Sequence, residues 1–155
     1  MGAEDLGPSE RAWIEGCLRE LRVLITRDGD DDDLTPEDLD AGYEAWLLDW
    51  MITPQRSRPD PKPTVKAFGI GFGQMLVDRL SLEWAIVIQE GRAQLAVRGQ
   101  RGDIVLYPGH LVAKRWAARA TGFFRPLYDA VREDMLRRRS VPLGGLSGGK
   151  PQSRV

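Results

Sequence analysis

The sequence predicts an α+β fold: N-terminal helices, a three-stranded antiparallel β-meander, and C-terminal helices packed on one sheet face. Three observations predict it. Apolar residues recur at helical spacing as far as Leu80, then give way to strand-like composition and alternation from Trp84. The connections between the candidate strands are short, as hairpins require. Helical spacing returns after Pro108 and runs to Arg139.

The first helix covers Ser9 to Ile25, with Trp13, Ile14, Cys17, Leu18, Leu21, Leu24 and Ile25 on one stripe. Arg27-Asp28-Gly29 ends it, and Asp28 to Asp33 forms an acidic loop. The second helix has the clearest start. Thr35 caps it, Pro36 fits the first helical position, and Asp38 stands where a capping box usually has Glu. Its inward stripe is Leu39, Tyr43, Trp46, Leu47 and Trp50. Residues 53–64 hold Pro54, Pro59, Pro61 and Pro63, and read as an exposed connector without regular structure. The third helix runs from about Thr64 to Leu80, with Phe68, Phe72, Met75 and Leu76 inward. Gly69, Gly71 and Gly73 either permit close approach of another element or break the helix.

Trp84 to Ile88 is the first strand, Glu90-Gly91 a tight turn, and Ala93 to Val97 an alternating second strand. Asp103 to Tyr107 is the third, and Pro108 stops it. The last helical region covers Leu111 to about Arg139, with breaks at Gly122 and Pro126. Residues 1–139 thus form a single α+β domain containing the 53–64 connector, and 140–155 a glycine-rich disordered tail. The core includes Trp13, Trp46, Trp50, Trp84, Leu95 and Val97.

Composition bounds the function. Of 155 residues, 42 % are apolar and 29 % charged, as in an ordinary globular domain. No apolar run is long enough for a membrane span, and the acidic start has no signal-peptide character. The lone Cys17 excludes an internal disulfide and fits a reducing, cytoplasmic location. The net charge of −1 conceals a division: residues 1–53 hold fifteen acids and four arginines, and the remainder eighteen basic and eight acidic residues. Opposed charge faces either meet within one chain or recruit a partner, through self-association or another protein.

Several motifs match by spelling and fail on context. Gly144 to Lys150 reads as the start of a P-loop, but Pro151 replaces the hydroxyl residue that would bind magnesium. Gly145 to Gly149 spells a nucleophile elbow, but the single histidine, His110, comes earlier in the chain. Gly69-Ile70-Gly71-Phe72-Gly73 has its third glycine one place early for a dinucleotide fingerprint. The acidic loop lacks the Gly and Glu that a calcium loop needs at its sixth and twelfth places. One Cys and one His cannot close a structural zinc site. No cofactor, metal or catalytic residue is assigned.

His110 follows Pro108-Gly109, and on a helix it shares a face with Lys114, with Arg115 beside them. The candidate ligand- or partner-binding residues are Trp84, His110, Lys114, Arg115 and Arg119, around a pocket between the meander and the C-terminal helices. From Leu111 to Arg139 eight basic and three acidic residues are interleaved with Trp116, Phe123, Phe124 and Tyr128, a pattern that also suits nucleic acid.

The spaced glycines before Gln74-Met75-Leu76, Leu82-Glu83-Trp84 opening a strand, Tyr107-Pro108 and Lys114-Arg115 carry a resemblance. From about Phe68 to Leu136 the chain resembles a bacterial family catalogued as domain of unknown function 3806, which prefers glycine where Ser81 stands here. The resemblance implies an α+β domain and no activity, cofactor or catalytic residue. The functional expectation is a non-catalytic protein-interaction or accessory, immunity-like module. The alternatives are a small-molecule binder or enzyme, and nucleic-acid binding through the Arg-rich C-terminal region.

Overall fold

A computed structural model describes residues 2–25, 34–102 and 104–140. The acidic loop and the P-loop and elbow look-alikes of the tail lie outside these residues. In chain order the elements are β1 (Gly2–Glu4), α1 (Pro8–Leu24), α2 (Pro36–Ile52), a 3₁₀ turn (Gln55–Ser57), α3 (Lys62–Leu80), β2 (Glu83–Gln89), β3 (Arg92–Arg98), β4 (Val105–Leu106), α4 (Pro108–Ala117) and α5 (Phe124–Ser140). This is an α+β fold with four antiparallel strands in the order β1-β2-β3-β4.

The local signals act as their chemistry requires. At the start of α2 the Asp38 amide donates to Thr35 Oγ1 (3.0 Å), and the Thr35 amide donates to Asp38 Oδ2 (3.2 Å). A reciprocal capping box therefore forms with Asp in place of Glu. Glu90 and Gly91, with φ of 52° and 75°, make the two-residue turn that closes β2 on β3.

Helix α3 is the centre of the molecule. It is apolar on nearly every side, and α1, α2, α4, α5 and the β2–β3 hairpin all pack against it. Its glycines do not break it; they let neighbours come close. A Cβ at Gly69 would stand 3.0 Å from Gly109 Cα, and one at Gly73 would collide with the Trp84 ring. Behind α3, Tyr43, Phe68, Phe72 and Phe124 are wholly buried. Tyr43 meets Phe68 and Phe123 edge-on, with centroids 5.2 Å and 5.1 Å apart. Each such pair contributes about 0.5–1.5 kcal/mol beyond its buried area.

Several expectations are corrected. Trp13 is 48 % exposed because α1 turns Ile14, Cys17, Leu18 and Leu21 inward, leaving the Ala12–Gly16 side facing a cavity. Leu24, at the same helix's end, is 38 % exposed. Trp46, Trp50, Trp84 and Leu95 are half-buried, and only Val97 of that group is fully buried. The proline connector holds a 3₁₀ turn, and α3 starts at Lys62, before Thr64. Strand β4 is two residues long, and the sheet gains β1 at its other edge, with Ala3 opposite Val87. The C-terminal helices part at Gly122, where φ is 68°. Pro126 causes no break: it sits in the first turn of α5, where a missing N–H costs nothing. Of those helices, α4 lies against β3, while α5 packs on α2 and α3.

The two charge halves meet within the chain. The Phe124 and Arg125 amides donate to the Asp40 carboxylate (2.8 and 3.1 Å), so α2 caps α5. Arg125 also pairs with Glu37 at 2.8 Å, and Arg98 with Asp5 at 3.1 Å.

Candidate functional site

Three adjoining cavities form one groove across the side of the molecule where α1, α3, β3 and α4 converge. The largest, about 590 Å³, lies between α1 and the start of α3 and is lined by Gly16, Cys17, Glu20, Asp60 and Lys62 among others. The next, about 380 Å³, lies between β3 and the N-terminus of α4. The third, about 260 Å³, lies between β4 and α4. Trp13 and Lys66 line both the first and the second; Tyr107 and His110 line both the second and the third.

Each side chain has a reason to be there. The Cη2 and Cζ2 atoms of Trp84 occupy the space beside Gly73 that a Cβ would otherwise fill, and the indole Nε1–H donates to Gln74 Oε1 (3.0 Å). Gln74 in turn donates from Nε2 to Asp78 Oδ1 (2.9 Å), which holds the amide toward Trp84. Pro108 ends β4 and begins α4, so Tyr107 and His110 lie within one turn and stack at 5.7 Å and 26°. One turn further on, Lys114 lines the cavity beside β4 with His110. The groove is aromatic and cationic: Trp13, Trp84, Tyr107 and the His110 ring with Lys62, Lys66 and Lys114. Its carboxylates, Glu20 and Asp60, lie at the α1 end only. The Cys17 thiol at that end is held above its ordinary pKa, first by burial and then by Glu20, with Lys66 acting in the opposite direction.

Of the five residues expected from the sequence, Trp84 and His110 line the same cavity and Lys114 the next. Arg115 and Arg119 lie elsewhere. Arg115 donates to its own helix at Leu111 O (3.4 Å). The Arg119 guanidinium lies 4.0 Å from the Trp116 ring centroid, and Arg58 lies 4.6 Å from that of Trp50. Arg58 also donates to the Met51 (2.7 Å) and Thr53 (2.9 Å) carbonyls, closing the end of α2. These arginines bind the connector and α4 to α2.

Sequence reasoning missed Trp13, Lys66 and Tyr107. The Lys62–Lys66 spacing at the start of α3 was the one available signal for a basic face. Trp13 read as core because a large aromatic on an amphipathic helix usually is.

Among the described residues no group of three or more His, Cys, Asp or Glu side chains is gathered as a metal site, and no helix is long and apolar enough to cross a membrane. The family model described as Domain of unknown function (DUF3806) matches residues 47–128, more than half of the chain. The match runs from the end of α2 through α3, β2–β4 and α4 into α5, and contains every groove residue except those of α1. No curated protein and no solved structure matches the chain. The chain belongs to the DUF3806 family.

Proposed function

From that membership as premise, we propose that the protein is a non-catalytic interaction module, an accessory or immunity-like protein of the bacterial cytoplasm, that holds a segment of a partner protein in the groove. The observation that carries this reading is the convergence of α1, α3, β3 and α4 on one elongated groove with aromatic walls and unpaired lysines. Lys66 and Lys114 form no ion pair among the described residues, whereas Arg98, Arg125, Arg137 and Arg138 each do. Long apolar walls with spaced cations suit an extended chain better than a compact ligand. The internal pairing of those arginines weighs against nucleic acid, whose affinity depends on free cations. The buried Cys17 thiol fits a reducing compartment.

Selection of random displayed peptides against the whole protein tests the reading. Enrichment of a motif that binds wild type and is lost in a Lys66→Glu/Lys114→Glu double variant supports it. A folded wild type that enriches no motif overturns it.

A second reading rests on the cavity between β3 and α4, whose 380 Å³ falls within the size range of small-molecule sites and which holds His110. A thermal-shift screen of anionic metabolites separates the two. Stabilisation by one compound, abolished by His110→Ala, favours this reading.

A further inference from the structure

Resting on the reading of the groove as a peptide site, we infer that the partner segment enters as an extended, acidic β-strand added to the open edge of β3. The sheet's own register leads there. The two-residue turn Glu90-Gly91 closes on the pair Gln89–Arg92. In a hairpin of this type the closing pair exchanges both backbone hydrogen bonds, so Arg92, Gln94, Ala96 and Arg98 direct their N–H and C=O groups at β2. Ala93, Leu95 and Val97 direct theirs away from β2. An independent bond agrees: the Gly99 amide, next in that odd series, donates to Ile104 O on the β4 side (3.0 Å).

Strand β4 covers only part of this edge. Leu106 stands opposite Val97. Continuing the same register would bring Pro108 opposite Leu95, but Pro108 has no N–H and starts α4 instead. The peptide groups of Leu95 and Ala93 therefore face the groove with no strand beside them, and no other backbone partner reaches them there among the described residues. The 380 Å³ cavity lies along this stretch, with Ala93, Gln94 and Leu95 as one wall and Tyr107 to His110 as the other.

Charge selects the occupant. The two cavities flanking the open edge are lined by the lysines Lys66 and Lys114 and by no carboxylate. An incoming strand satisfies the backbone groups, and its alternate side chains meet Trp84 and Lys66 on the helix side. A segment that places its acidic residues on this side fits Lys66, with the apolar residues between them on the opposite face. A second copy of this chain fits less well, since its β3 would bring Arg92 and no carboxylate against these cations.

The test uses a short alternating Glu/Val peptide, titrated into the full chain by calorimetry. Wild type is expected to bind it, with the corresponding Lys/Val peptide and a backbone N-methylated Glu/Val peptide each roughly tenfold or more weaker. In the protein, Ala93→Pro deletes an N–H that faces the groove and none that bonds to β2, so a similar loss is expected with an unchanged melting curve. If that variant does not fold, the N-methylated peptide asks the same question of the intact protein. Equal binding of the N-methylated or the Lys/Val peptide overturns the inference, as does no binding of Glu/Val. A dimer that Ala93→Pro dissolves also overturns it, by making a second copy the occupant. Groove binding of a display-selected peptide that Ala93→Pro leaves unchanged overturns strand addition alone; failure of the display selection overturns the groove reading itself.

Discussion

Gly73→Ala probes the contact that positions Trp84. A Cβ at this position would collide with Trp84 Cη2, stand 2.9 Å from Trp84 Cζ2 and 3.0 Å from Pro108 Cγ. Neither group can give way freely: the indole is tied to Gln74, and Pro108 is the first residue of α4. Overpacking of this kind costs about 1–3 kcal/mol. Alanine returns about 1 kcal/mol through helix propensity. The expected net loss is about 1 kcal/mol, which lowers the melting temperature by about 2–4 °C in a domain of this size. In a Trp84→Leu background the indole is gone and the helix term dominates, so the same substitution should be neutral or stabilising, with Pro108 as the remaining restraint. Calorimetric melts of the four proteins of the cycle measure this. A rise in melting temperature in the wild-type background, or the same fall in both backgrounds, refutes the argument that Gly73 exists to seat Trp84.

Two further outcomes follow from buried polar groups. The Tyr43 hydroxyl is buried without a hydrogen-bond partner among the described residues, and burial, partly offset by Arg119, pushes its pKa up to about 12. Tyr43→Phe should therefore stabilise the fold by about 1 kcal/mol or more in denaturant titrations at neutral pH. Because the folded-state pKa is raised, wild-type stability should fall from about pH 10, where the unfolded tyrosine ionises, toward about 12, and Tyr43→Phe should flatten that fall. Asp40→Ala removes the acceptor for two amides at the start of α5 and should cost about 1–2 kcal/mol, read from chemical denaturation. Asp40→Asn should recover part of this loss, and an Asp40→Ala variant as stable as wild type would show that α5 needs no cap from α2.

Much of the fold was legible in the residues because the relevant signals are local. Thr35-Pro36-Glu37-Asp38 specifies a helix start within four residues, and Glu90-Gly91 between alternating runs specifies a hairpin. Pro108 both ends a strand and opens a helix, and the spacing of His110 and Lys114 puts them on one face. Half of the groove could therefore be named from the sequence.

The remainder depends on residues far apart in the chain. Gly2-Ala3-Glu4 has no strand composition; it becomes β1 because β2 offers it an edge. The start of α5 is capped by Asp40, 84 positions before Phe124, which no local pattern reveals. Trp13 and Lys66 join Trp84 and His110 only because α3, with glycine where its neighbours press closest, lets α1, the sheet and α4 converge. Short-range hydrogen-bonding and periodicity determine which segments coil or extend. Which side chains face the same empty space is decided by how those segments pack, and that depends on the whole chain at once.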